Sequence, residues 1–167
     1  PQFGITHLGV AGHPEGHADM TAEAAHAALG PKQAAAAEQG LSMRIVTQFF
    51  FDAARALRWA ESVARQGVTA PIHFGVAGPT DLATLSRYAA RCGVGMSARL
   101  LRKRGLTMLG LTFRDPSEEI ASSIEAAAAV PGAGNIRALH IYPFGGVAES
   151  RDWLMRRGNW VATEAPR

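Results

Sequence analysis

Arg44-Ile45-Val46-Thr47-Gln48-Phe49-Phe50-Phe51-Asp52 is the stretch that decides the fold class. Its β-branched and aromatic residues form a short apolar run that ends on a capping aspartate, and an alanine-rich stretch of helical spacing follows. That is the signature of a strand feeding a helix. Three similar runs lie at 4–10, 71–76 and 136–142, so the chain reads as four strands separated by helices.

Helices are expected within 21–39, over 52–66 and after Pro79-Thr80-Asp81, where Leu82, Leu85, Tyr88 and Ala89 share an apolar face. Gly30-Pro31 breaks the first or opens a fresh helix, because proline suits a first turn and not a helix interior. Residues 95–130 hold two or three helices, with Asp115-Pro116-Ser117-Glu118-Glu119 as a strong start, and a last helix spans 147–157. Alternation of this kind implies βα units around a parallel sheet covered on both faces. Four units are too few for a closed eight-unit barrel of about 250 residues. A small open sheet is the other solution.

The 167 residues are 47% hydrophobic and 19% charged, enough for one globular unit with its own core. No apolar run reaches the roughly 18 residues of a membrane span, and no signal leader is visible. The single cysteine, Cys92, excludes an internal disulfide, and a cytoplasmic location is expected. A net charge of +3, from 17 basic against 14 acidic residues, is too slight for a nucleic-acid footprint. The cluster Arg99, Arg102, Lys103 and Arg104 is read as the solvated face of a helix.

Polar and glycine-rich residues gather just after each strand, at 13–17, Gln48, 75–79 and 142–146. In α/β folds that is the face where ligands bind. Gln48 offers both a donor and an acceptor to a heterocycle edge, or else ties down a loop. His13, Glu15 and His17 are close enough in sequence to suggest a metal, but Pro14 and Gly16 deny them helical spacing; no metal is expected. The phenylalanine triplet must alternate faces, so only part of it can look into a site. No phosphate-binding glycine motif occurs.

Gly9-Val10-Ala11-Gly12-His13-Pro14-Glu15-Gly16-His17, then Thr47-Gln48-Phe49-Phe50-Phe51-Asp52, then Pro71 to Val76, Arg91-Cys92-Gly93-Val94 and His140-Ile141-Tyr142 together resemble the later half of methylenetetrahydrofolate reductases. The resemblance implies α/β architecture in which these four βα units are the second half of a (β/α)8 TIM barrel, strands five to eight. The chain, which begins at Pro1 without a methionine, is then a single unit, 1–167, lacking the N-terminal half. Catalytic residues, including the acid that assists folate protonation, are expected in that half. Pairing with it, or a homo-oligomer, is the expected assembly.

The resemblance further implies FAD as cofactor, NAD(P)H as donor and reduction of 5,10-methylenetetrahydrofolate to 5-methyltetrahydrofolate, a step of one-carbon metabolism leading to methionine biosynthesis. Ala11, His13 and His17 match the loop that contacts FAD, and Lys32 the helix lysine near its phosphates. Gln48 matches the pterin-binding glutamine, Leu82 the position of a substrate-stacking phenylalanine and Tyr142 the final-strand tyrosine near the substrates. His13 stands where a tyrosine is usual, and Gly146 where an arginine is. These departures mark a divergent subfamily. A non-catalytic folate or flavin binder, or a flavin-free tetrahydrofolate-dependent methyl-transfer protein, are the alternatives on the same scaffold.

Overall fold

The computed structural model describes residues 4–93, 116–131 and 134–158. Four strands, β1 (His7–Gly12), β2 (Ser42–Phe49), β3 (Ile72–Ala77) and β4 (Ile136–Tyr142), form one parallel sheet in the order β1-β2-β3-β4. Six helices are described: α1 (Ala22–Ala27), α2 (Leu29–Glu38), α3 (Ala53–Arg65), α4 (Leu82–Arg91), α5 (Pro116–Ala128) and α6 (Val147–Arg156). The basic cluster at Arg99 to Arg104, the Asp115 cap and any helix within 95–115 lie outside the described residues. Among the described residues no helix is long and apolar enough to cross a membrane.

Two boundaries differ from the sequence expectation. Gly4 takes a positive φ of 67°, outside the strand region, so β1 starts at His7 and runs on to Gly12 in register with Thr47. The first helical segment breaks at Ala28, not at Gly30-Pro31. Gly30 and Pro31 fall in the first turn of α2, where a missing N–H leaves no helix bond unmade. The other signals act where they were read. Asp52 and Asp81 cap α3 and α4, their side chains accepting from Arg55 N at 2.9 Å and Thr84 N at 2.8 Å.

Strand alternation sorts the sheet into two unlike faces. On the outer face Ile45, Ile72, Phe74 and Val76 are fully buried against Ala56, Ala60 and Val63 of α3, Ile120 and Ile124 of α5 and Trp153 of α6. Each such side chain contributes roughly 1.5–3 kcal/mol by leaving water. Arg157 clamps the helix layer, pairing with Glu118 and Glu125 while lying over the Trp153 ring. The inner face carries Gly9, Ala11, Arg44, Val46, His73 and His140, partly or fully exposed in the described structure. Coverage of both faces by helices is not met among the described residues: their helical layer lies on one face, because the apolar residues of each strand alternate onto that side.

Candidate functional site

The site begins with an irregularity in β2. Val46 pairs with His73 and Phe49 with Gly75, so three steps along β2 meet two along β3 and one extra residue is accommodated. A bulge of this kind re-aims side chains. The Thr47 hydroxyl accepts from the Gly75 N–H at 2.8 Å, binding a ladder donor beside the irregularity. Gln48 and Phe49 then both serve the mouth at the C-terminal ends of the strands, while Phe50 turns out to meet Phe74 in the core with ring centres 5.6 Å apart.

Gln48 joins two segments there. Its Nε2 donates to the Cys92 carbonyl at 2.8 Å, and its Oε1 stands 3.4 Å from His13 Nδ1. Since the amide nitrogen faces a carbonyl, Oε1 is the atom turned to His13, and the imidazole must carry its proton on Nδ1 to bond it. Burial holds the His13 pKa below its ordinary 6.5, with the nearby His17 and Lys32 acting in the same direction against the Gln48 bond. The ring is neutral at neutral pH. Its Nε2 is then an acceptor. His17 packs edge-on against His13, centres 4.8 Å apart.

Tyr142 reaches the same mouth from β4. Its hydroxyl donates to the Thr47 carbonyl at 3.1 Å, and burial, with Cys92 nearby, pushes its pKa up, so it stays protonated. The ring crosses β3 over Gly75. A Cβ there would stand 2.3 Å from the Thr47 carbonyl oxygen and 2.7 Å from the tyrosine ring, so only glycine admits this crossing. Phe49, Tyr88, Tyr142 and Phe144 form an aromatic cluster beside it, with Phe144 at a positive φ of 44° folded back to stack on Tyr88 at 4.5 Å. That conformation costs roughly 1–2 kcal/mol for an L-residue.

The helix after β3 does a different job from an ordinary crossover. Leu85 and Ala89 of α4 bury against Phe49 and Ala77 at the strand ends, and Gly93 sits against Ala18 of the β1 loop. It is α5 that returns along the outer face, with Ile120 and Ile124 in the main core. Thus α4 lies across the mouth, and its last turn receives the Gln48 bond.

Of the residues singled out from sequence, His13, His17, Gln48 and Tyr142 converge at this mouth. Lys32, exposed on the first turn of α2, is near enough to act electrostatically on His13. Ala11 is an exposed small residue on the inner face of β1. Leu82 opens α4, and its side chain lies outside the described residues. Glu15, weighed with the two histidines as a metal ligand, is instead bound to the β2–α3 turn: its Oε1 accepts from Phe51 N at 3.2 Å and Asp52 N at 3.1 Å. Among the described residues no three His, Cys, Asp or Glu side chains are grouped to hold a metal ion. Sequence reading missed the Cys92 carbonyl, since a backbone acceptor carries no residue signal, and missed Gly75, whose glycine was legible but whose neighbour 67 residues on was not (142 − 75).

A family model described as methylenetetrahydrofolate reductase matches residues 2–142, which include all four strands and His13, His17, Gln48 and Tyr142. The chain belongs to the methylenetetrahydrofolate reductase family. Membership assigns it to a family of folate-linked reductases. Within that family the parallel sheet, with its helices on one face and its polar loops at one end, is the expected segment of scaffold.

Proposed function

We propose that this chain forms half the wall of a (β/α)8 barrel, closed by further strands, in a flavin-dependent enzyme that reduces 5,10-methylenetetrahydrofolate to 5-methyltetrahydrofolate with NAD(P)H. The observation that carries this reading is the meeting of Gln48, His13, His17 and Tyr142 beneath α4 at one mouth, since a barrel site draws on several strand ends at once.

The donor set fits FAD. Lys32 supplies a cation for phosphate, His13 and His17 offer polar ring atoms, and the small Ala11 leaves the floor of β1 open to a flat ring. When bound, FAD supplies hydride transfer between nicotinamide and folate. The protein's part is positioning. Gln48, with one N–H and one lone pair left after its bonds to Cys92 and His13, orients the pterin edge. Tyr142 offers a protonated hydroxyl and a ring face at the wall, and Leu82 an apolar contact to the substrate. The general acid comes from the strands that close the barrel.

The test uses the full-length protein. Flavin absorbance after purification, with methylenetetrahydrofolate turnover, supports the reductase. Folate binding without flavin would replace it with a binding or methyl-transfer role. His17→Ala lowers flavin occupancy before it changes folate selectivity. An unchanged flavin content in that variant removes His17 from the cofactor site.

A further inference from the structure

The four strands contain no aspartate or glutamate, yet their inner face gathers positive and titratable groups. Arg44 is in register with Gly9 of β1, His73 with Val46 and Ala138, and His140 with Gly75, so all three side chains stand on the open face, Arg44 and His73 in the layers below Gln48 and His140 level with Gly75, its ring centre 4.7 Å from that of Tyr142. A Cβ at Gly9 would lie 4.0 Å from Arg44 Nε, which places the guanidinium over the glycine floor of β1. His7 begins the same face, bonded to the Thr6 hydroxyl at 2.8 Å. Among the described residues Arg44 has no ion-pair partner.

Closing a barrel over this face would take the guanidinium out of water. A buried cation is tolerated only when paired and hydrogen-bonded, and the effective penalty without a partner is several kcal/mol. Gly9, Ala11, Val46 and Ala138 bring no charge, and Tyr142 stays neutral above. Among the described residues no carboxylate faces Arg44, so the compensating anion falls to the strands across the barrel. Resting on the barrel reading above, we infer that the polypeptide closing this half-barrel presents an inward carboxylate, Asp or Glu, to Arg44, flanked by His73 and His140. In the chain as described, burial and the unanswered charge of Arg44 hold both imidazoles below 6.5. A carboxylate between them cancels the Arg44 contribution and acts against that of burial.

In the full-length protein, urea unfolding of Arg44→Met at pH 8 should show at least a tenfold loss in the folding constant. Much of the loss should return at pH 5, where the orphaned carboxylate can protonate. Arg44→Lys, which keeps the charge, should lose less. An Arg44→Met variant as stable as the parent, or one equally damaged at both pH values, overturns the inference. Should that variant not fold, titration of His73 and His140 in the unmutated full-length protein decides, by NMR of the imidazoles. Protonation of either ring at or above about pH 5.5 supports a carboxylate neighbour that offsets burial and Arg44, and two rings that stay neutral below about that pH overturn one. Hydrogen exchange separates the two readings. Freely exchanging amides on the outer edges of β1 and β4 in the full-length protein would remove the barrel itself. Protected edges with low histidine titrations would remove only the carboxylate.

Discussion

Replacing Gln48 with alanine removes a β2 side chain that bonds both the β1 loop, at His13, and the end of α4, at Cys92. The bond to the Cys92 carbonyl, at 2.8 Å, has ordinary geometry and is worth about 1 kcal/mol net, while the 3.4 Å contact to His13 is weaker. Stability should therefore fall by about 1–2 kcal/mol, or roughly 2–8 °C in Tm for a domain of this size or somewhat larger. At the ligand, the free N–H and lone pair of the amide are lost, again about 1 kcal/mol each. With about 1.4 kcal/mol per tenfold, folate turnover should drop roughly ten- to a hundredfold. Flavin absorbance should be largely kept, because Gln48 is assigned to the pterin and not to FAD. Gln48→Glu sharpens the test. Its carboxylate would face the Cys92 carbonyl oxygen, so that bond cannot be remade, and it would raise the His13 pKa by placing a negative charge beside the ring. The assay is steady-state turnover with flavin absorbance and thermal unfolding on the same full-length samples. Turnover within twofold of the parent, or flavin lost in proportion to turnover, would refute the assignment of Gln48 to the substrate.

Gly75→Ala should be among the most damaging small substitutions, because its methyl would meet the Thr47 backbone oxygen and the Tyr142 ring, and backbone cannot yield as a flexible side chain does. A loss of about 3 kcal/mol in urea unfolding, with the Tyr142–Thr47 bond broken, is the expected result, and a loss under about 1 kcal/mol would contradict the described crossing of β3. For pH, the depressed pKa of His13 means that the unfolded chain takes up a proton first as pH falls. Its contribution to stability is full above the ordinary histidine range and is lost as pH drops through 6.5 toward the folded value. Imidazole NMR should find His13 titrating below 6.5, and a value at or above it would mean the ring is not shielded as described.

The sequence by itself determined the alternation of strands and helices, the caps at Asp52 and Asp81, and the clustering of polar residues after each strand. These depend on residues within a few positions of one another, through side-chain period, capping bonds and turn preference. The family could be read the same way, because the segments around Gln48 and His13 to His17 are contiguous. What only the tertiary structure decided is how separate loops share one space. The β2 irregularity depends on the β3 partner at Gly75, and the Tyr142 path depends on the absence of a side chain there. The use of α4 as a cover and not a crossover depends on Phe49, Ala77 and the Cys92 carbonyl meeting it from other elements. Composition likewise said that the basic residues only slightly outnumber the acidic ones. The register placed Arg44, His73 and His140 on one face without a carboxylate, because strands 29 or more residues apart contribute one side chain each (73 − 44).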